Sequence, residues 1–157
     1  MTTAQSHFGD PTKPRLSELG PGQALPSLEL PRITRTTLAL FAGASGDHNP
    51  IHIDLDNARS AGLEDVFAQG MLSMGFLGRY LTEVFGQERL RTWTVRFTSI
   101  TPVNAFPHCS GTVTDIDEAA GTADVDLTVT LADGTVTLTG AATVDLATTS
   151  PSLEEAP

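Results

Sequence analysis

Hydrophobic positions along this chain follow two periods, and the change between them divides it. Up to residue 86 apolar residues come in short blocks. "ALPSLELPRI" reads as a strand with breakers at each end, and "TRTTLALFAGAS" as a short helix with Thr34 or Thr36 as its N-cap. "NARSAGLED" reads as a second short helix closed by Gly62. The longest helical block is "GMLSMGFLGRYLTEVFG", residues 70–86. Its apolar residues, Met71, Leu72, Met74, Phe76, Leu77, Tyr80, Leu81, Val84 and Phe85, surround the helix almost entirely, which predicts burial on most sides. Gly75 and Gly78 each cost about 1 kcal/mol relative to Ala in a helix interior, so a backbone or a ligand is expected close to them. Gly86 is the expected stop.

Beyond it the period becomes two. "RTWTVRFTSITPV" sets Trp93, Val95, Phe97 and Ser99 on one face against Thr92, Thr94, Arg96 and Thr98 on the other. "HCSGTVTDID" and "GTADVDLTVTLADGTVTLTGAATVDL" continue the alternation, with Asp133-Gly134 as a hairpin turn between two runs. The pattern predicts an α+β fold: one long buried helix and an antiparallel sheet of at least four strands wrapped on it.

Composition narrows the picture. With 157 residues, of which 39% are hydrophobic, the chain suits one domain with one core. Residues 1–22 are rich in Pro and Gly and are expected to be a flexible arm, and 148–157 a flexible tail, leaving a domain over 23–147. Nine Lys and Arg against 19 acidic residues give a net charge of -10, which argues against wrapping a nucleic-acid backbone. Arg79, Arg89, Arg91 and Arg96 are grouped along the chain and could meet an acidic carrier, although a solvated face explains them as well. Cys109 is the single cysteine, so no internal disulfide can form and a Cys-based metal site is not expected. The N-terminal residues lack the apolar run of a secretory signal, and no window has the roughly 18 apolar residues of a membrane span. A soluble cytoplasmic protein with no membrane contact is the expectation.

The chemistry concentrates in "GDHNPIH", residues 46–52. Pro50 fixes its own φ and drives Asn49 out of helical conformation, so the segment is a shaped loop. Asn49 can hold the turn while Asp47 and His52 converge. A carboxylate and a neutral imidazole facing one cavity can hold a water and move its proton either way, which is general acid-base chemistry. An Asn-Pro turn with a surface histidine has the same spacing. His48 would point the other way and is read as solvent-facing or structural. Asp47, His48, His52 and Asp54, at spacings of one, four and two, match no defensible metal-ligand pattern, so no metal is expected. Gly70 stands where the long helix begins, where free N–H groups and the positive end of the helix dipole could receive an oxyanion. An ordinary glycine at a crowded helix start accounts for it equally.

Taken together, "FAGASGDHNPIHID" and "AQGMLSMGFLGRY", continuing through "TVRFTSITPV", resemble the MaoC-like (R)-specific enoyl-thioester hydratases and dehydratases, over roughly residues 25–147. Within that family the motifs are similar above all to the catalytic B subunit of the mycobacterial (3R)-hydroxyacyl-ACP dehydratase. The resemblance implies a single hot-dog fold and the interconversion of (3R)-3-hydroxyacyl and trans-2-enoyl thioesters of CoA or an acyl carrier protein, without a cofactor, in fatty acid or polyketide metabolism. It implies Asp47 and His52 as the catalytic pair, Asn49 and Pro50 as loop support, and the Gly70 amide as the oxyanion donor. It also implies pairing with a second hot-dog chain, identical or related, and an acyl tunnel, for which Met71, Met74 and Leu77 are the candidates. Two positions depart from the family pattern: Gln69 stands where many relatives have His, and Gly78 where some have Ser. A hot-dog thioesterase and a non-catalytic partner subunit are the competing readings. The histidine after Asn-Pro argues against the first, and retention of a buried polar pair against the second.

Overall fold

The computed structural model describes residues 16–146. Three helices, α1 (Arg35–Ser45), α2 (Leu55–Ser60) and α3 (Gly70–Phe85), accompany five strands, β1 (Leu28–Glu29), β2 (Leu90–Phe97), β3 (His108–Asp117), β4 (Thr122–Thr130) and β5 (Val136–Asp145). The strands form one antiparallel sheet in the order β1-β3-β4-β5-β2. One face of that sheet packs on α3: Leu77, Tyr80, Leu81 and Phe85 of the helix share a core with Val113, Val125, Leu127, Val129, Leu138 and Val144 of the strands. A sheet laid on one long helix is the hot-dog arrangement.

The period-two alternation explains which face is inward. In β4, Ala123, Val125, Leu127 and Val129 are buried while Asp124 and Asp126 are exposed, so one strand serves core and solvent alternately. Asp133-Gly134 makes the β4–β5 turn as expected, with Gly134 at φ 85 and the Asp133 carboxylate accepting from the Thr135 amide at 2.9 Å. β2 ends at Phe97, short of the expected run to Val103.

The first strand is shorter than its sequence suggests. Only Leu28 and Glu29 enter the ladder, opposite Cys109 and His108. The remainder of "ALPSLELPRI" still lies along the same edge through single bonds, Leu25 N–H to the Gly111 carbonyl, Leu30 N–H to Pro107 and Ile33 N–H to Ala105. Pro26 and Pro31 have no N–H with which to continue a ladder. Of the expected arm, Leu16–Glu18 form a 3-10 turn, Leu16 and Leu19 pack on the main core, and the Gly22 amide donates to Val113 of β3 at 2.7 Å; the rest of the arm and the tail past 146 lie outside the described residues.

Of the two N-cap candidates for α1, Thr34 takes the place. Its hydroxyl accepts from the Thr37 amide at 3.0 Å and Thr37 Oγ1 accepts from the Thr34 amide at 3.3 Å, a reciprocal capping box. α2 begins earlier than its pattern suggests because Asp54 caps it, accepting from Asp56 and Asn57.

α3 departs from the expectation of burial on nearly all sides. Met71, Gly75, Arg79 and Glu83, spaced four apart, form an exposed stripe, with Arg79 and Glu83 paired at 2.6 Å. The two interior glycines differ as well. A Cβ on Gly78 would stand 3.2 Å from the Trp93 indole, so a ring rather than a backbone or ligand needs the space. Around Gly75 there is nothing within 4 Å, and the expected close approach is absent.

Candidate active site

α1 ends at Gly46, whose φ of 77 turns the chain out of the helix and whose amide bonds Ala42. Asp47 follows directly. Its Oδ1 accepts from the Asn49 amide at 3.3 Å, and Asn49 Oδ1 in turn accepts from Ile51 at 3.2 Å. With Pro50 in its first position, a single 3-10 turn then runs Pro50–His52, capped by Asn49. Two side-chain-to-backbone turns in series thus shape the loop, and every residue type in Asp-x-Asn-Pro-x-His has a local use.

The turn carries His52 inward. The imidazole is 8% exposed, its Nδ1 lies 2.9 Å from the Phe67 carbonyl oxygen, and its ring meets the Phe67 ring edge to face at 4.6 Å. A carbonyl can only accept, so Nδ1 carries the hydrogen of the neutral ring and Nε2 keeps its lone pair. Among the described residues no hydrogen bond or ion pair joins Asp47 to His52; each is held by its own backbone partner. His48 is exposed, as its place in the loop suggests.

Phe67 stands three residues before Gly70, so the bond that seats His52 also attaches the loop to the approach of α3. The Ala68 amide bonds the Thr101 carbonyl at 2.9 Å, and Gln69 follows as the wholly buried N-cap of α3. The Gln69 side chain makes no cap bond, which leaves the leading amides of α3, beginning at Gly70, without a side-chain acceptor. Gly70 itself is exposed, and a Cβ there would come within 3.1 Å of the Phe97 ring.

Beside Gly70 is a pocket of about 330 Å³ whose walls include Phe67, Ser73, Phe97, Thr101 and Leu138. Ser73 and Thr101, both buried, lie hydroxyl to hydroxyl at 3.3 Å. None of these wall residues was singled out from sequence as a site residue, and a carbonyl such as that of Phe67 has no sequence signal, because every residue has one. Of the tunnel candidates, Met71 is 55% exposed, Met74 is partly buried and Leu77 lies wholly within the main core. Three of the four grouped arginines are in pairs, Arg79 with Glu83, Arg89 with Glu88 at 3.8 Å and Arg91 with Asp145 at 2.7 Å, while Arg96 is exposed on β2. Among the described residues no three His, Cys, Asp or Glu gather as a metal would require, and no helix is long and apolar enough to cross a membrane.

A sequence profile described as "MaoC like domain" matches residues 21–135. A solved "MaoC-like dehydratase" is similar at 28% identity and a TM-score of 0.79 over 88% of this chain; the chain spans 44% of that protein's length. The (R)-hydratase from A. caviae involved in PHA biosynthesis is similar at 26% identity and a TM-score of 0.72, over 83% of this chain and 98% of that one. A chain of the ChsH1-ChsH2 complex from Mycobacterium tuberculosis shares the fold at 24% identity and a TM-score of 0.71, over 80% of this chain and 97% of that one. No curated protein matches the chain.

Proposed function

The chain belongs to the MaoC-like dehydratase family, and from that premise we propose that it interconverts (3R)-3-hydroxyacyl and trans-2-enoyl thioesters. The observation that carries the reading is the 2.9 Å bond from His52 to the Phe67 carbonyl, which ties an acid-base loop to the start of the helix that offers the Gly70 amide. In hydration a water between Asp47 and His52 adds its oxygen to the β-carbon. One water proton passes to the pair and a proton is delivered to the α-carbon, so that water is added across the double bond. Dehydration follows the same path in reverse. The thioester oxygen gains charge as the α-carbon does, and the Gly70 amide and the helix dipole stabilise it there. The chemistry uses neither metal nor redox cofactor.

The substrate is an acyl-CoA or an acyl carrier protein thioester of fatty acid or polyketide metabolism in the cytoplasm. Its acyl chain runs past Met71 and Met74 toward Leu77. A second hot-dog chain completes the enzyme, either a copy or a related chain, as for a subunit akin to the mycobacterial catalytic B subunit. An edge strand with an open flank, β2, supports that pairing. The test is the rate at which the purified chain adds water to a short trans-2-enoyl-CoA, beside Asp47→Asn. Formation of the 3-hydroxyacyl product, lost in the variant, is the expected result. Release of free CoA thiol with no hydroxyacyl product would instead make the protein a thioesterase.

A further inference from the structure

We propose that Gln69 is a positioning residue, whose carboxamide fixes the Gly70 amide relative to the Asp47/His52 loop by bonding α1. Its Nε2 donates to the Leu38 carbonyl at 3.2 Å, and it is wholly buried. Two hydrogen bonds and two stretches of chain then close a circuit. α1 leads into the loop through Gly46, the loop returns His52 to Phe67, the chain runs on to Gln69, and Gln69 bonds back to α1 at Leu38. Remove the last contact and α1 keeps only apolar packing on the start of α3, where Leu38 and Phe41 share a cluster with Ala68 and Leu72; that packing is non-directional and does not set the bearing of the Gly70 amide.

The other end of the same side chain explains why packing alone is insufficient. Gln69 Oε1 is buried with no hydrogen-bond partner among the described residues. An apolar side chain of similar size would fill the space without burying an unpartnered oxygen, so the donated bond is what recommends an amide here. Gln69 touches neither water nor thioester in this scheme; it acts through Gly70, the next residue.

The proposal rests on the hydratase reading for its kinetic arm only. Gln69→Met keeps the volume and removes the donor, whereas Gln69→Glu donates when protonated and cannot when ionised. Both are first checked for folding by circular dichroism and thermal melting. Because misplacing a catalytic contact by about 1 Å can cost about 100-fold, kcat of Gln69→Met on a short trans-2-enoyl-CoA is expected to fall about 10- to 100-fold, with KM changed less than about threefold. The Gln69→Glu to wild-type activity ratio is expected to decline as pH rises, and the Gln69→Met ratio to stay flat. Taking ratios cancels any pH dependence common to the three proteins.

A second arm needs no substrate: hydrogen exchange of the Leu72 amide, which bonds the Gln69 carbonyl at 3.0 Å, and the chemical shift of the Gly70 amide. Faster exchange and a moved Gly70 resonance in Gln69→Met support positioning even if the wild type adds no water, in which case only the hydratase reading fails. A Met variant with wild-type kcat, or one with unchanged Leu72 exchange and Gly70 shift, overturns the proposal.

Discussion

The Trp93 indole lies on the bare α-carbon of Gly78, so close that a Cβ would stand 3.2 Å from it. Phe97 meets Gly70 in the same way. The glycines are eight residues apart on α3, about 12 Å of helix rise, and the aromatics four apart on β2, about 13 Å of strand. The two spacings match, so β2 lies along α3 in one register and the ring nearest the proposed oxyanion site is fixed by the ring at the other end.

That register predicts opposite outcomes for two glycines of one helix. Gly75→Ala is expected to raise stability by about 0.5–1 kcal/mol, because nothing lies near its Cβ and Ala is the better helix former. Gly78→Ala is expected to forfeit that gain against Trp93, and Gly78→Leu to cost about 1–3 kcal/mol through overpacking. Urea unfolding of the three variants checks it; an equal gain at both positions would remove the role of the Trp93 contact.

Asp47→Asn and His52→Gln are expected to lower hydration by about 10²–10⁴-fold, the usual range for a lost acid or base. His48→Ala is expected to retain most activity, since its side chain is exposed. Steady-state rates on one enoyl-CoA decide the matter, and equal losses in all three would refute the assignment of the pair.

Burial makes Cys109 a poor thiolate. The thiol is fully enclosed, and the cost of desolvating its ion pushes the pKa from 9.0 up to about 12, with Arg79 pulling weakly the other way. Tyr80, whose hydroxyl sits against Gly111, is raised for the same reason. In both groups the unfolded chain gives up its proton first, so stability present below pH 9 is lost as pH climbs toward the folded values. Native protein should resist a thiol reagent that labels it in urea, and Cys109→Ala should show a shallower alkaline loss of stability between about pH 9 and 10. Rapid labelling of the native thiol would contradict the enclosure.

Charge on the open side of the sheet is expected to separate paired chains. Thr94 on β2 and Ile100 just beyond it are exposed, so Thr94→Asp with Ile100→Asp should convert a dimer to monomer in light scattering, without unfolding it. A dimer that survives both charges pairs elsewhere.

The elements that local chemistry defines were legible in the sequence: α3 from Gly70, its end at Gly86, the Thr34 cap and the Asp133-Gly134 turn. So was the loop, because Asp47, Asn49 and Pro50 act on residues within two positions of themselves. What depended on distant partners was not. β1 kept only two ladder residues because the donors that Pro26 and Pro31 remove count only once β3 lies alongside. The His52 acceptor is a backbone atom fifteen residues away, and the Gln69 acceptor lies thirty-one away. Gln69 drew notice in the sequence only as a departure from a family pattern; its burial is a property of packing.

Strand order also governs when the molecule can be finished. β2 is made directly after α3, yet its ladder partner is β5, the last strand described, with Thr94 opposite Ala141 and Phe97 opposite Leu138. During synthesis Trp93, Val95 and Phe97 therefore leave the ribosome long before the strand they pair with, and the sheet closes only when nearly the whole domain has emerged. A nascent chain stopped within β4 would hold an unpaired aromatic strand, the kind of segment that chaperones bind and that aggregates when they do not.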